Sequence, residues 1–344
     1  MLDITFEGMK PLKIAIVSDA YFPHISGVAT TIKATAQELE KMGHSVKIIS
    51  PIDFTFKMAA PSYPEVKLAL MPYGRLKKML DEFAPDALHI SVEGPLGMAA
   101  RSYAKKHKLH FTTAYHTRFP EYLRIQMGVP ESLTYHVVRW FHNSANGVMV
   151  AAESLIKELD EHGIKNLLLW PRGVDAELFN PDQPLPLEGE RPIFMYMGRV
   201  AHEKNLEAFL SLDLPGTKYI VGDGPARKML EKKYPNAIFT GYKFGKELAG
   251  HLAAADVFVF PSLTDTLGLV MLEANACGLP IATFPSQASD AVVKDGENGI
   301  VSKDLKDACM RALTLSRTRC REIALSMGWR QPAQMFLDNL VVSK

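Results

Sequence analysis

Two carboxylates, Asp265 and Glu273, stand at the two ends of one short segment with seven residues between them. Asp265 follows the apolar run DVFVF, which is typical of a buried parallel strand. Gly268 frees the backbone, and the letters LVMLEANAC then predict a helix that ends at Gly278. In a doubly wound sheet, ligands bind at the carboxyl ends of the strands, where this spacing would place both acids. A solvated Asp and an ordinary helix Glu explain the same letters.

Two cations form a second constellation in the segment GRVAHEKN, residues 198–205. Gly198 lets the backbone turn at the end of a predicted strand, and Arg199 and Lys204 bracket the start of a predicted helix. A helix N-terminus has free N–H groups and partial positive charge. With two cations beside it, such a terminus would hold a diphosphate without a metal. Two solvated bases in a strand–helix loop remain the alternative.

Other phosphate-binding and metal-binding patterns are weak or absent in the sequence. There is no Asp-x-Asp pair and no Gly-Lys-Ser/Thr phosphate loop, so we expect no metal and no cofactor. Gly222 begins the turn GDGP, where Arg227 replaces the third glycine of a dinucleotide fingerprint. Near the start of the chain, Gly27 lies just ahead of a predicted helix. It either lets an amide approach a phosphate or caps a turn.

His116 lies in the segment AYHTRFPEY, directly after a predicted strand of the first half. It points toward the ligand crevice if the strand ends are aligned. A neutral histidine bonds to a sugar hydroxyl, and a protonated one assists a departing anion. A loop histidine satisfied by its surroundings is the structural alternative.

The elements that position these residues alternate between strand and helix along the whole chain. Strands are predicted at residues 12–18, 44–50, 87–90, 110–114, 147–150, 167–170, 193–198, 218–222, 237–241, 256–260 and 280–284. Helices are predicted between them, including single helices over 204–212 and 303–326. Such alternation predicts an α/β fold with parallel sheets covered on both faces.

The segment PRGVDAELFNPDQPLPLEGERP has little periodicity and separates two such halves. We therefore predict a first Rossmann-like domain over residues 1–171 and a second over 172–328, facing each other across a cleft. A last helix, 329–344, is predicted to pack back on the first domain. A length of 344 residues suits about two domains.

Composition excludes several classes of protein. The net charge of +1 makes no case for nucleic-acid binding. Three cysteines without C-x-x-C spacing indicate a reducing compartment and exclude a disulfide framework. We see no signal peptide and no apolar run of membrane-spanning length, so we expect a cytoplasmic protein.

Taken in order, these segments resemble the retaining nucleotide-sugar glycosyltransferases of family four, which have the GT-B fold. The resemblance runs from LKIAIVSD to the last helix. Its most specific part is the E-x7-E-like segment with a G-x-P ending. The supporting matches are G-R-x-x-x-x-K, V-G-x-G-P, R-G-V-D and A-D-V-F-V-x-P-S.

The resemblance implies a role for each matching residue. Glu273 is expected on the ribose diol, Asp265 near the donor sugar hydroxyls, and Arg199 and Lys204 on the diphosphate. His116 is expected near the donor sugar, and Gly27 in the first-domain loop that faces the diphosphate. The base is expected around residues 239–241. The other donor contacts are expected at Gly198, Gly222, Phe239, Gly241, Thr266, Leu267 and Gly268.

Two departures from the family pattern concern the donor sugar. Asp265 is one methylene shorter than the usual Glu, and the paired glycines of the first loop are reduced to Gly27 with Val28. Both changes resemble a branch that includes sulfolipid synthase-like and mannosyltransferase-like enzymes. The resemblance implies a metal-independent hexosyltransferase that uses a UDP- or GDP-linked sugar and retains configuration.

The acceptor is the least readable part of the sequence. The basic segments 75–78 and 101–108 and the aromatic-basic segment 135–142 suit an anionic membrane surface. A solvated helix face explains them too, so a lipid acceptor with peripheral membrane contact and a saccharide acceptor both stay open. The rival functions are a nucleotide-sugar epimerase, another GT-B enzyme, and a non-catalytic nucleotide-sugar-binding protein.

Overall fold

The structure, a computed structural model, describes residues 10–23, 26–60, 63–265 and 267–342. The strands formed by these residues are β1 (Lys13–Val17), β2 (Ser45–Ile49), β3 (Lys57–Ala60), β4 (Tyr63–Ala69), β5 (Ala87–Ile90), β6 (Thr112–Tyr115), β7 (Gly147–Val150), β8 (Leu167–Leu169), β9 (Ile193–Met197), β10 (Thr217–Val221), β11 (Ile238–Gly241), β12 (Val257–Phe260), β13 (Ile281–Thr283) and β14 (Gly299–Val301).

The helices are α1 (Gly27–Lys41), α2 (Tyr73–Phe83), α3 (Pro95–His107), α4 (Phe119–Met127), α5 (Glu131–His142), α6 (Glu153–Glu161), α7 (Leu206–Leu210), α8 (Arg227–Lys233), α9 (Gly245–Ala254), α10 (Leu269–Ala276), α11 (Gln287–Val292), α12 (Leu305–Ala312), α13 (Arg317–Leu325) and α14 (Arg330–Asn339). Two single turns of 3₁₀ helix lie at Pro51–Asp53 and His202–Lys204.

Two parallel sheets confirm the predicted α/β class with two Rossmann-like domains. The first has the strand order β2-β1-β5-β6-β7-β8, and the second has the order β11-β10-β9-β12-β13-β14. Their central strands are buried because helices cover both faces; every residue of β5, β6, β7, β9 and β12 is buried. In each sheet, later strands add to one side of the first strand and then to the other. The second sheet therefore has a topological switch point between β9 and β12.

The chain divides into two compact units. The described residues within 1–116, 135–170 and 332–344 form the first, and those within 117–134 and 171–331 form the second. One division between the two units lies between residues 170 and 171, and residues 117–134 group with the second unit. The predicted domain bounds stay a prediction. Within the first unit, Phe336 of α14 lies in the apolar cluster of Ile14 and Trp170.

The prediction of one helix over residues 303–326 was wrong. The segment contains α12 and α13, and each has its own N-cap. Asp304 accepts hydrogen bonds from the backbone of Lys306 and Asp307, and Ser316 accepts one from Arg319 N at 3.2 Å. A serine hydroxyl that bonds to the backbone at a helix start offers an alternative to helix continuation, and this divides the segment.

The prediction of one helix over 204–212 was also wrong. Lys204 ends the 3₁₀ turn, and Asn205 adopts a left-handed conformation with φ 54° before α7 begins. Asparagine tolerates this conformation better than most residues. Lys204 is therefore on a tight turn ahead of the helix and not within it. The antiparallel pair β3 and β4 was not predicted.

Candidate functional site

The predicted cation and the predicted first acid meet at the switch point of the second sheet. Lys204 follows β9, and Asp265 follows β12, the neighbouring strand. Lys204 Nζ lies 2.5 Å from Asp265 Oδ1, and both side chains are largely buried. Sequence reasoning assigned these residues separate roles, and the structure joins them in one ion pair.

The two turns that bear this ion pair are tied together. Asn205 Nδ2 donates to the carbonyl of Pro261 at 3.2 Å, and Thr264 Oγ1 donates to the carbonyl of Glu203 at 3.3 Å. The left-handed conformation of Asn205 turns its side chain toward the neighbouring loop. Lys204 and Asp265 are thus placed by the loops that precede them as well as by their mutual attraction.

The second oxygen of Asp265 is a buried acceptor. Among the described residues, Oδ2 has no hydrogen-bond partner, and the same holds for the Ser262 hydroxyl in the same loop. Leaving a buried acceptor unpaired costs about 1–3 kcal/mol, which a donor from a ligand would recover. This chemistry suits a polyhydroxy ligand. Thr266, predicted as a contact here, lies outside the described residues, and Leu267 is buried.

Three predicted glycines meet where the turns after β9, β10 and β11 pack together. Gly198 N donates to Val221 O at 3.0 Å, and Gly222 N donates to Gly241 O at 2.9 Å. A Cβ on Gly222 would lie 1.9 Å from the Gly198 carbonyl oxygen. No side chain fits at Gly222, so this floor of the site consists of bare backbone.

Arg199 and Phe239 border the same turns. The carbonyl of Arg199 accepts a hydrogen bond from the Tyr196 hydroxyl at 2.9 Å, which fixes the backbone from which the guanidinium projects. The carbonyl of Phe239 accepts from Arg227 Nη2 at 3.4 Å. The backbone expected to cradle a base is therefore already bonded in part within the protein.

The predicted helix with the second acid is confirmed as α10. Gly268 has φ 72° at its start, and a Cβ there would come within 2.9 Å of the Phe260 ring. Glu273 lies on the second turn, and its carboxylate makes no hydrogen bond to a described residue. Burial raises the pKa of Glu273 to about 7. Near neutral pH it therefore exchanges between an acid and a carboxylate that can accept hydrogen bonds.

The other two predicted residues belong to the first unit. Gly27 begins α1 and is exposed, and the Ser26 hydroxyl caps the helix by accepting from Ala29 N at 3.2 Å. His116 follows β6, with its ring centroid 5.6 Å from that of Trp170 in an edge arrangement. Their proposed contacts with the donor stay predictions.

Asp19, which sequence reasoning did not single out, follows β1 in the first unit. Its carboxylate accepts hydrogen bonds from the backbone of Leu96 at 3.0 Å and Gly97 at 3.1 Å, so it caps α3. Burial raises its pKa to about 6. Its position directly after the predicted strand LKIAIVS was the signal that could have found it.

A hydrogen-bonded chain of three side chains was also missed. His142 Nε2 lies 2.8 Å from Glu93 Oε1, and His142 Nδ1 lies 2.8 Å from Thr113 Oγ1. His142 is fully buried, and Glu93 is partly exposed after β5. Only the tertiary fold brings them together, since His142 ends a helix far along the chain.

The part of the chain that the structure describes contains no group of three or more His, Cys, Asp or Glu side chains that could hold a metal ion. It also contains no helix long and apolar enough to cross a bilayer. Metal independence stays a prediction.

Comparisons with known proteins agree over both units. The profile of the family described as "Glycosyltransferase Family 4" matches residues 25–178, and that of "Glycosyl transferases group 1" matches residues 191–315. Sulfoquinovosyl transferase SQD2 of Arabidopsis thaliana is 31% identical over 350 residues, covering 91% of this chain and 69% of the relative.

Two further relatives and a solved structure extend this similarity. A GDP-mannose-dependent alpha-mannosyltransferase of Corynebacterium glutamicum is 28% identical, covering 86% of this chain and 78% of its own. Alpha-monoglucosyldiacylglycerol synthase of Streptococcus pneumoniae is 26% identical, covering 96% and 86%. Sucrose-phosphate synthase of Thermosynechococcus elongatus superposes with a TM-score of 0.75 at 18% identity, covering 95% and 98%, which supports the fold alone.

Proposed function

The chain belongs to the family 4 glycosyltransferases, and from this premise we propose that it moves a hexose from a UDP- or GDP-linked donor to a hydroxyl of a lipid or saccharide. One observation carries the proposal: Lys204 and Asp265 pair at the switch point of the second sheet. The pair places a cation suited to a diphosphate beside a buried acceptor suited to a sugar hydroxyl.

In the proposed reaction, the bond between the sugar and the diphosphate breaks as charge builds on the leaving oxygen. Arg199 and Lys204 stabilise that charge, and Asp265 and Glu273 hold the sugar and the ribose by accepting hydrogen bonds from their hydroxyls. The acceptor hydroxyl attacks from the face that the diphosphate leaves, so configuration is retained. The departing phosphate takes the acceptor proton, and no protein base and no metal are required.

The names of two relatives bear on the acceptor and on the linkage. One relative is named as a diacylglycerol glycolipid synthase, which supports a lipid acceptor, and the name of another specifies GDP-mannose as donor without an acceptor. Their names specify alpha linkages, which is the product expected when an alpha-linked donor reacts with retention.

The test is acceptor-dependent release of nucleoside diphosphate from UDP-, GDP- and ADP-linked hexoses, with and without a chelator. We expect that one of these donors releases its nucleoside diphosphate, that this release requires the acceptor, and that the chelator does not change its rate. Proton NMR of the product would give the anomeric configuration. Interconversion of two sugars without acceptor would instead indicate an epimerase, and donor binding without turnover on any acceptor would indicate a binding protein.

A further inference from the structure

The structure joins two separate segments of the sequence, 101–108 and 135–142, into one surface of the first unit. Arg101 of α3 lies with Cζ 3.7 Å from the centroid of the Trp140 ring of α5. Its Nε donates to Ser144 Oγ at 2.8 Å, and its Nη2 donates to the Trp140 carbonyl at 3.0 Å. Arg101 is buried, so these contacts hold the Trp140 ring in one orientation.

The α3 side of this surface is basic. Helix α3 contains no acidic residue, and its last turn ends in Lys105, Lys106 and His107, followed by Lys108. All four side chains are exposed. Lys105 follows Arg101 by one helical turn, so it continues the line of the residue that supports Trp140. Lys108 ends the helix in a left-handed conformation with φ 56° and adds a further charge at this end of α3.

The α5 side of this surface is apolar. Trp140 is 55% exposed and Val137, one turn earlier, is 48% exposed. The other two tryptophans, Trp170 and Trp329, are 1% and 9% exposed. Lysines near a helix C-terminus are stabilised by the helix dipole, but that effect does not explain an exposed, fixed indole beside them.

We propose that this α3–α5 surface, formed by Lys105, Lys106, Lys108, Val137 and Trp140, docks the protein onto an anionic lipid bilayer. Trp140 and Val137 enter the boundary between headgroups and acyl chains, while the lysines neutralise lipid phosphates. The indole is amphipathic and suits that depth, and the absence of acids on α3 matches the negative surface. The role of docking, access to a lipid acceptor, rests on the proposed function. The docking itself does not depend on that function.

Tryptophan fluorescence tests the docking directly, because Trp140 is far more exposed than the two other tryptophans. We expect a blue shift with mixed phosphatidylglycerol and phosphatidylcholine vesicles, no shift with phosphatidylcholine alone, and reversal at high salt. The variant Trp140→Phe should lose the shift and still sediment with the anionic vesicles. A blue shift that depends on protein concentration without vesicles would overturn the proposal in favour of a second copy of the chain.

Charge removal tests the basic side. The double variant Lys105→Gln/Lys108→Gln should weaken vesicle binding more than tenfold, since each lysine near an anionic membrane contributes about a fivefold factor. The matched control, Lys228→Gln/Lys232→Gln, removes the same charge from exposed positions of α8 in the second unit and should leave binding unchanged. Equal binding by both double variants, each folded by thermal melting, would overturn the proposal.

A transfer assay separates this inference from the proposed function. The double variant Lys105→Gln/Lys108→Gln should transfer the hexose to a water-soluble acceptor at the wild-type rate. It should lose transfer to an acceptor embedded in anionic vesicles. If the wild-type protein transfers hexose but does not bind anionic vesicles, the proposed docking surface is wrong and the proposed function stands. If vesicle binding depends on Lys105 and Lys108 but no acceptor receives a hexose, the docking surface stands and the proposed function is wrong.

Discussion

The ion pair of Lys204 and Asp265 is the contact that the proposed donor meets, and it leaves Asp265 Oδ2 as an acceptor without a partner among the described residues. Removing one partner of a largely buried pair leaves the other charge uncompensated, at a cost of about 3–5 kcal/mol. A diphosphate that approaches Lys204 supplies the missing negative charge, and a sugar hydroxyl supplies a donor to Asp265. The pair therefore compensates both charges before the donor binds, and the donor gives each group a further partner.

Replacement of the cation tests this role. We expect Lys204→Ala to lower turnover at saturating donor by about 10²-fold or more, because one charge-stabilising group on the leaving diphosphate is lost. The control is Lys233→Ala, which breaks an exposed 2.5 Å pair with Glu207 and should leave turnover unchanged. Equal turnover of wild type and Lys204→Ala would contradict the diphosphate role.

The raised pKa of Glu273 predicts a pH dependence of binding. Nucleoside diphosphate affinity should rise as pH increases through about 7 and level off above it, because both oxygens of the carboxylate accept hydrogen bonds from the ribose hydroxyls, whereas the neutral acid has one acceptor oxygen fewer. Calorimetry in buffers of different ionisation enthalpy should show proton release on binding below that pH. Glu273→Gln should bind more weakly and without this dependence; a variant with wild-type affinity and slope would exclude the ribose role.

The same group predicts how the stability of the unliganded protein depends on pH. Its folded pKa of about 7 lies above the ordinary value of 4.5, so the folded state favours the neutral acid. Stability is therefore lost as pH rises from about 4.5 to about 7, by about 3 kcal/mol. Urea unfolding of Glu273→Gln should show a smaller loss over this window, and an identical loss would place the titration elsewhere.

At the scale of elements, the site depends on turns that pack backbone against backbone. The loops after β9, β10 and β11 approach so closely that a Cβ on Gly222 would meet the Gly198 carbonyl oxygen. Gly222 also has φ 147°, which side chains rarely allow. These contacts set where Gly198 and Arg199 leave the sheet. The turn after β9 is thereby held for a ligand before one arrives, which lowers the ordering cost of binding.

Glycine replacement measures this packing. Gly222→Ala should lower the free energy of unfolding by about 2 kcal/mol or more, because its Cβ would meet a backbone oxygen that cannot give way. Gly296→Ala is the matched control, since Gly296 also has positive φ, 79°, but open space around it. It should cost about 1 kcal/mol through its conformation alone. Equal losses in urea unfolding would show that the close approach is not limiting.

At the scale of the molecule, residues 332–339 of α14 belong to the first unit although they follow the second unit in the sequence. Phe336 of α14 is fully buried, with its ring centroid 4.8 Å from that of Trp170 and 4.9 Å from that of His89. Asn339 Nδ2 donates to the carbonyl of Leu169 at 2.8 Å. The first unit thus depends on residues from both ends of the sequence.

Loss of this anchor should destabilise the first unit. Phe336→Ala should lower its free energy of unfolding by about 3–5 kcal/mol, because a large buried ring leaves a cavity. Leu325→Ala, at an exposed position of α13, is the control and should change stability by less than about 0.5 kcal/mol. Hydrogen exchange of β1 and β5 would locate the effect, and protection equal to that of wild type would contradict it.

The local pattern of the sequence was sufficient for the class of fold and for the position of the candidate site residues at one edge of the second sheet. Apolar strands that alternate with helices admit few arrangements other than a doubly wound sheet, and residues directly after such strands must lie at one edge. Lys204, Asp265 and the three glycines could be found for that reason. The division of 303–326 was missed because a single serine cap outweighs a continuing helical pattern.

Only the tertiary structure decided which side chains touch. The pairing of Lys204 with Asp265, the chain of Glu93, His142 and Thr113, and the stacking of Arg101 on Trp140 join residues far apart in sequence. The desolvation that raises the pKa of Glu273 likewise depends on everything packed around it. Periodicity and turn chemistry are local and can be read from the letters, whereas burial and long-range contact depend on how the elements pack.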